Sequence, residues 1–144
     1  MKIIKLDAID STNSYLKRLL TKDSLDDLTV VVSKHQTKGK GRNGNIWENE
    51  AALNLAFSIY KKFNNLDVKD KFMLNVISSL SVFQLLKENN LNKLTIKWPN
   101  DIMTGKGKIY GILIENSVKG KFINHSVIGV GINVNQKKFK DLPN

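Results

Sequence analysis

The chain of 144 residues contains no cysteine and only two histidines. Without cysteine there is no disulfide and no thiolate chemistry, which suits a reducing cytoplasm. His35 and His125 are isolated from each other, so the sequence indicates neither a histidine-based metal site nor a Ser/His pair. His125 falls on a predicted strand, where we expect a packed or edge side chain.

Long apolar runs are also absent. The opening residues, MKIIKLDAID, hold too short an apolar run for a secretory signal, and no stretch is long enough to cross a membrane. There is no internal repeat, linker or low-complexity segment. With 41% hydrophobic and 25% charged residues, the sequence indicates one globular, cytoplasmic domain with no membrane partner.

Negative charge is scarce, with 13 Asp and Glu against 23 Lys and Arg and a net charge of +10. This balance favours an acidic partner, such as nucleic acid, a phosphorylated ligand or an acidic protein, without choosing among them. The basic residues are scattered, apart from clusters at residues 34–42 and 137–140. A non-catalytic nucleic-acid module is one alternative, but the aromatic residues are not interleaved with the basic ones as a single-strand platform requires.

Hydrophobic periodicity predicts the order β-α-β-β-α-β-β-β. The expected strands cover residues 2–6, 28–33, 53–60, 94–98, 108–116 and 121–134, and the helices run from about Ser11 to Leu20 and over 69–87. The third strand alternates in the way that one buried face requires. Residues 61–67 and 99–101 have turn composition. We therefore expect an α+β fold, with a mixed sheet and helices packed on one face.

Glycine and positive charge alternate in QTKGKGRNGNIW, residues 36–47, which we call the glycine loop. Glycine lets the backbone take φ > 0 and approach a ligand, and successive N–H groups in such a loop form an anion-binding concavity. Trp47 closes the loop with a large flat surface. A ligand with a phosphate, a carboxylate and a ring suits this composition, as does a plain exposed turn. The glycines also match G-x-G-x-x-G, but no helix start follows them, so a dinucleotide site is disfavoured.

Three further clusters interrupt apolar strands. They are Lys97-Trp98-Pro99-Asn100-Asp101, Gly105-Lys106-Gly107-Lys108 and Gly129-Val130-Gly131-Ile132-Asn133. Asn100 and Asp101 suit hydrogen bonds or a divalent cation, and equally a simple turn. Lys108, at the start of a buried strand, suits a pocket, although surface lysines are commoner. Glycine inside a strand often marks the close approach of a ligand, and a bulge without function is the alternative.

Taken together, these clusters resemble one family across essentially the whole chain, the biotin protein ligases. The matching pieces, in order, are Ser11-Thr12-Asn13, residues 36–42, Trp47, residues 97–101, Lys108, residues 111–115 and residues 129–133. The resemblance implies a largely antiparallel sheet like that of class II aminoacyl-tRNA synthetases and biotin ligases. It also implies that biotin and MgATP give biotinoyl-5′-AMP and pyrophosphate, after which a lysine of the biotin carboxyl carrier protein of acetyl-CoA carboxylase or a related carboxylase takes the biotinoyl group.

The resemblance assigns roles by position. Lys108 and Arg42 would be the catalytic cations, since preorganised positive charge stabilises the charge that builds on phosphoryl oxygens. The biotin site would contain Ser11, Thr12, Asn13, Gln36, Lys40, Gly41, Arg42, Lys108, Gly111, Gly129 and Gly131. The ATP site would contain Gly39, Lys40, Arg42, Trp47, Asn100, Asp101 and Asn133, with Asp101 and Asn133 as magnesium ligands. We also expect Gly41 to need a φ that valine cannot adopt.

The chain departs from the family pattern in three ways. It has Lys40 where arginine is usual, which keeps the charge but loses the bidentate fork. No winged helix-turn-helix precedes the first strand, so no DNA partner is expected. The chain stops at Asn144, so residues 1–144 are expected to be a catalytic domain that is incomplete at its C-terminus and lacks the small β-barrel domain.

Two alternatives stay close to this resemblance. One is a lipoate-type ligase, which is disfavoured because lipoate has no ureido group for the polar residues to bind. The other is a truncated biotin- and ATP-binding domain without efficient turnover. The resemblance also allows a homodimer.

Overall fold

Seven strands form one mixed sheet in the computed structural model, which describes residues 1–105 and 107–139. In chain order the elements are β1 (Ile3–Ile9), α1 (Thr12–Leu20), β2 (Thr29–Gln36), β3 (Asn54–Asp67), α2 (Lys71–Glu88), β4 (Thr95–Lys97), β5 (Asp101–Thr104), β6 (Gly107–Lys119) and β7 (Phe122–Asn133). The strand order is β1-β2-β3-β7-β6-β5-β4. Strands β1 and β2 are parallel and the other neighbouring pairs are antiparallel. The predicted α+β class with a mixed, largely antiparallel sheet is confirmed.

The parallel pair brings two site segments together. Because β1 and β2 run in the same direction, their C-terminal ends lie side by side, where helix α1 and the glycine loop begin. Backbone hydrogen bonds join the chain at the end of β1 to the chain that follows β2, from Thr37 N to Ile9 O at 2.9 Å and from Lys38 N to Asp10 O at 2.8 Å. Ser11 caps α1, since its hydroxyl accepts from the Ser14 N–H.

Two rows of residues cross the central strands β3, β7 and β6 in register. They are Ser58–Gly129–Leu113 and Ala56–Gly131–Gly111. Because side chains alternate along a strand, both rows lie on the same face of the sheet. This face is flat where the glycines are, and the candidate site is built on it.

The two helices cover opposite faces of the sheet, which corrects the expectation that both pack on one face. Leu16 of α1 packs on the face that carries the two rows, against Val31, Tyr60 and Val127. Leu86 of α2 packs on the other face, against a cluster formed by Ile102, Tyr110, Ile112, Val130 and Ile132. The buried side chains of β3 are Ala56, Ser58 and Tyr60, on the face that α1 covers, and Ser58 is 0% exposed. The alternating apolar side chains Leu55, Phe57 and Ile59 lie on the opposite face, where they are half-buried or exposed, so the buried face is not the one that the alternation predicted.

Of the two stretches of turn-like composition, residues 61–67 are a strand, whereas Pro99 and Asn100 lie in a turn that leads into a strand at Asp101. Residues 61–67 continue β3 because its partner β7 is long enough to pair with them, and Asp67 lies beside Phe122 after a register shift. Asp101 begins the additional strand β5, which pairs with Gly111 of β6. Strand β4 ends before Pro99, as the sequence predicts. The added strand begins at the end of the residue 97–101 cluster and pairs with β6, which carries the catalytic candidate Lys108.

Lys106 and residues 140–144 lie outside the described residues. They include Lys106 of the residue 105–108 cluster, the last lysine of the predicted basic cluster at 137–140, and the predicted chain end. Within the described part of the chain, no helix is long and apolar enough to cross a membrane.

Candidate functional site

One cavity of about 780 Å³ lies between the flat face of the sheet, the start of α1 and the glycine loop. Its wall contains the predicted site residues Ser11, Thr12, Asn13, Gln36, Lys40, Gly41, Arg42, Trp47, Asn100, Asp101, Lys108, Gly111, Gly129 and Gly131. Gly39 and Asn133 are the predicted site residues outside this wall. The fold therefore brings together segments that are up to 120 positions apart in the sequence.

One end of the cavity is a set of neutral polar groups, of which Thr12, Asn13 and Ser58 are buried and Gln36 is half-buried. Gln36 Oε1 accepts from Thr12 N at 2.8 Å and from Thr12 Oγ1 at 3.0 Å. The Ser58 hydroxyl lies 2.7 Å from Thr12 Oγ1 and 2.5 Å from Asn13 Oδ1. Thr12 and Asn13 are both 3% exposed, so these contacts fix their side chains before any ligand arrives. We call Thr12, Asn13, Gln36 and Ser58 the amide pocket.

The other end of the cavity is cationic. Lys108 Nζ lies 2.9 Å from Asp101 Oδ1, which also accepts from Asn100 Nδ2 at 2.9 Å. Asn100 Oδ1 in turn accepts from Arg42 Nη1 at 2.5 Å. These contacts join the glycine loop to the start of β5 and to β6. We call Arg42, Asn100, Asp101 and Lys108 the cationic relay, because it leads from one candidate catalytic cation to the other.

Trp47 lies between the two ends, on the backbone of Gly111 and Gly131, which we call the glycine floor. A Cβ on Gly131 would stand 2.2 Å from Trp47 Cε2, and a Cβ on Gly111 would stand 2.7 Å from Trp47 Cζ3, so neither position has room for a side chain. Lys108 Nζ is 5.6 Å from the centroid of the Trp47 ring, within the range of a cation–π contact. The ring nitrogen of Trp47 is buried and has no hydrogen-bond partner among the described residues. The indole therefore presents an unused donor beside the cavity.

The glycine loop folds back on itself. Gly41 N donates to Asn45 O at 2.7 Å, and Trp47 N donates to Gly39 O at 3.0 Å. Gly39 is required by close approach, because a Cβ there would stand 2.2 Å from Trp47 O. Gly41 has φ −103°, so the expectation that it needs a φ closed to valine is wrong. Asn43 and Gly44, with φ of 55° and 81°, make the turn instead.

The two residues predicted to hold magnesium both contact Lys108, at different atoms. Asp101 pairs with its ammonium, and Asn133 Nδ2 donates to its backbone oxygen at 3.0 Å. Asn133 Oδ1 is buried without a hydrogen-bond partner in the described part of the chain. Within residues 1–105 and 107–139, no three His, Cys, Asp or Glu side chains form a metal-binding group. Magnesium binding by Asp101 and Asn133 stays a prediction.

Two polar residues next to the cavity, the buried Ser58 and the half-buried Glu115, were given no role in the site by the sequence analysis. Ser58 occupies a strand position that alternation assigns to solvent. Glu115 accepts from Asn13 Nδ2 at 2.8 Å and pairs with Lys17 at 2.7 Å, although nothing in its apolar strand marks it. A polar residue at an inward-facing strand position is the signal that identifies both, once a helix is known to cover that face.

Comparison with known proteins places this geometry among ligases. The model of the Biotin/lipoate A/B protein ligase family matches residues 6–133. The biotin–[acetyl-CoA-carboxylase] ligase of Mycobacterium tuberculosis is 30% identical over 138 residues, which cover 92% of this chain and 50% of that protein.

Two solved structures have the same fold. The biotin acetyl coenzyme A carboxylase synthetase of Helicobacter pylori, with bound biotinylated ATP, is 30% identical with a TM-score of 0.74 and 96% and 64% of the two chains covered. The biotin protein ligase of Aquifex aeolicus, in complex with biotin and ATP, is 30% identical with a TM-score of 0.71 and 97% and 55% covered. The chain spans half, or less, of the length of the curated bacterial relatives from Bacillus subtilis and M. tuberculosis.

Proposed function

Because the chain belongs to the Biotin/lipoate A/B protein ligase family, we propose that it is the catalytic part of a biotin protein ligase. In the first step, a biotin carboxylate oxygen attacks the α-phosphorus of ATP and pyrophosphate leaves, which gives biotinoyl-5′-AMP. In the second step, the amine of a carrier-protein lysine attacks the biotinoyl carbonyl, and AMP and a proton leave. The carrier is the biotin carboxyl carrier protein of acetyl-CoA carboxylase or a related carboxylase.

The observation that carries this proposal is that the amide pocket and the cationic relay open into a single cavity. Biotin has a neutral cyclic urea at one end and a carboxylate at the other, and ATP adds phosphates next to that carboxylate. A cavity with buried amides at one end and two cations at the other matches this order of groups. The glycine floor leaves room between the two ends for rings and a methylene chain.

The cationic relay supports the first step. Negative charge builds on the phosphoryl oxygens in the transition state, and cations beside those oxygens stabilise it. Lys108 contacts Asp101, and Arg42 contacts Asn100, so both cations are held beside the cavity before a ligand binds. An anionic ligand would draw both side chains from these partners to its own oxygens.

The amide pocket supports the choice of biotin. The ureido oxygen needs donors and the two ureido N–H groups need acceptors, and Thr12, Asn13 and Gln36 supply both kinds. A site of buried polar groups rejects a ligand that leaves them unpaired. A lipoyl ring would leave them unpaired, which disfavours a lipoate ligase.

The glycine loop would protect the adenylate. A mixed anhydride hydrolyses if water reaches it, so a loop that folds over it favours transfer to the carrier. Trp47 would then pack against the adenylate from its present place beside Lys108. Lys40 takes the position where the resemblance expects arginine, and it offers charge without a bidentate contact.

Magnesium would enter with ATP. Magnesium sites often use one or two protein oxygens together with substrate phosphates. Asn133 Oδ1, which has no hydrogen-bond partner among the described residues, and the Asp101 carboxylate fit that role. When bound, the metal neutralises charge on the phosphates. The same proposal includes a cytoplasmic location and allows a homodimer.

Incubation of the chain with radiolabelled biotin, ATP and magnesium tests the proposal directly. We expect labelled biotinoyl-AMP, and transfer of the label when a biotin carboxyl carrier domain is added. Calorimetry with biotin and with lipoate should show binding of biotin alone. The proposal fails if biotin does not bind, and biotin binding without biotinoyl-AMP would reduce it to a binding domain without turnover.

A further inference from the structure

Glu115 lies outside the cavity wall, at the outer end of a chain of polar contacts that leads into the amide pocket. Its Oε2 accepts from Asn13 Nδ2 at 2.8 Å, and its Oε1 pairs with Lys17 Nζ at 2.7 Å. Burial raises the pKa of Glu115, but hydrogen bonds from Lys17 and Asn13 outweigh burial and hold that pKa below its ordinary value. At neutral pH Glu115 is therefore a carboxylate, which accepts hydrogen bonds and donates none.

The partners of Asn13 leave its amide one orientation. Asn13 Nδ2 donates to Glu115 and to Leu113 O at 3.3 Å, which uses both of its N–H groups. Asn13 Oδ1 rests directly on the backbone of Gly129, where an added Cβ would stand 2.4 Å from it. A flipped amide would set its oxygen against the Glu115 carboxylate and the Leu113 carbonyl. The carboxylate therefore fixes which end of the amide faces the pocket.

The orientation of Asn13 sets the direction of the hydroxyl protons. The Ser58 hydroxyl lies 2.5 Å from Asn13 Oδ1 and 2.7 Å from Thr12 Oγ1, and its single proton can serve one of them. Asn13 Oδ1 cannot donate, so the Ser58 proton goes to it. Thr12 then donates its own proton within the protein, to Ser58 Oγ or to Gln36 Oε1. The lone pairs of Thr12 Oγ1 stay free for a donor in the cavity.

We propose that Glu115 is a positioning residue that sets the hydrogen-bond polarity of the amide pocket and so makes Thr12 an acceptor for a ring N–H of biotin. This inference rests on the proposed function. It adds that recognition of the urea depends on a carboxylate that never touches the ligand. Without that carboxylate, Asn13 can turn its nitrogen to Ser58, whose proton then takes one of the two lone pairs of Thr12 Oγ1 and competes with the ring N–H for that oxygen.

Three variants of the full chain separate this role from general stability. Glu115→Leu removes the acceptor, Glu115→Gln restores one through its amide oxygen, and Lys17→Met removes the ion pair while Glu115 keeps its contact with Asn13. Calorimetry measures the Kd for biotin. Hydrogen exchange of the Asn13 side-chain amide, measured by NMR without ligand, reports whether residue 115 still accepts a hydrogen bond from that amide.

We expect Glu115→Leu to weaken biotin binding roughly tenfold, as one unpaired buried donor implies, and Glu115→Gln and Lys17→Met to stay within about threefold of the parent chain. Exchange of the Asn13 amide should accelerate in Glu115→Leu alone. Equal weakening in Glu115→Leu and Glu115→Gln, or unchanged Asn13 exchange in Glu115→Leu, would overturn the inference. A parent chain that fails to bind biotin would refute the proposed function and the ligand role of Thr12, whereas the exchange data would still decide whether Glu115 holds Asn13.

Discussion

The two ends of the cavity are held together in different ways. The amide pocket is buried, neutral and fixed by hydrogen bonds to the sheet and to helix α1. The cationic relay is partly exposed, with Lys108 and Asp101 side chains 32% and 23% accessible, and it includes Arg42 from the glycine loop. The next part of that loop reaches far into solvent, since Ile46 is 80% exposed.

This difference suggests a division of labour. A rigid neutral pocket recognises a group that does not change during the reaction, and its contacts contribute equally to substrate and transition state. Charged groups that hold one another can exchange those partners for an anion whose charge grows in the transition state. Substitutions at the amide pocket should therefore change affinity, and substitutions at the cationic relay should change rate.

Removal of the Lys108 ammonium should have the largest effect. Lys108→Ala should slow biotinoyl-AMP formation by about 10²–10³-fold, because such groups act mainly on transition-state charge. Biotin affinity should change much less. Single-turnover assays and biotin calorimetry measure the two quantities, with Lys121→Ala in the β6–β7 turn as the matched control. Equal losses in rate and affinity would contradict a transition-state role.

A substitution in the glycine floor should have the second-largest effect. Gly131→Val places atoms where the Trp47 ring lies, so the ring must move away from the sheet. We expect biotinoyl-AMP formation to slow roughly 30-fold. Tryptophan fluorescence should shift to the red in a Trp98→Phe background, which leaves Trp47 as the reporter. Gly105→Ala is the control, since a Cβ there meets no described atom within 4 Å. An unchanged fluorescence spectrum and an unchanged rate would show that the contact between Trp47 and Gly131 has no role in the reaction.

In the amide pocket, Thr12→Val should reduce affinity for biotin more than it reduces the rate, which is the reverse of the effect expected for Lys108→Ala. The substitution keeps the shape of the side chain but removes the hydroxyl, so the Kd for biotin should rise about tenfold. The rate at saturating biotin should stay within about threefold of the parent chain. Thr21→Val, at the exposed end of α1, is the matched control. A rate loss as large as the affinity loss would break the proposed division.

The smallest effect concerns the anchoring of helix α1. Arg18 donates to both Asp10 carboxylate oxygens, at 2.7 and 2.8 Å, and these hydrogen bonds hold the pKa of Asp10 well below its usual range. A depressed folded-state pKa stabilises the fold above about pH 4 and loses that effect as the pH falls through the folded value. Asp10→Asn should lower the free energy of unfolding at pH 7 by at most about 1 kcal/mol, because the pair is partly exposed. Urea unfolding should show that the parent chain and Asp10→Asn differ less in their free energy of unfolding at pH 3 than at pH 7. An equal difference at both pH values would exclude a role of the Asp10 charge.

The sequence predicts the strands, the helices and the site segments because each depends on local composition. Ser11 caps its helix, Pro99 follows a finished strand, and Gly131 admits a close neighbour, all of which are properties of short stretches. How the strands and helices pair and pack against one another is harder to predict from the sequence. Residues 61–67 resemble a turn until the length of β7 is known, and Ser58 resembles a solvent-facing residue until helix α1 covers it.

The contacts that orient the site are the least predictable part. Lys108 and Asp101 meet because β5 and β6 pair, and Asn13 meets Glu115 across 102 positions of sequence. Neither contact can be predicted from the residues that lie next to each partner in the chain. Motifs name the residues that surround a ligand, whereas register and helix placement decide which side chains hold those residues in position.

A crystal structure of the chain with biotinoyl-5′-AMP tests the account most directly. We predict that the ureido ring contacts Thr12, Asn13 and Gln36, and that the phosphate oxygens lie within hydrogen-bond distance of Lys108 and Arg42. A ligand bound with its ring at the cationic relay, or outside the cavity altogether, would contradict the account.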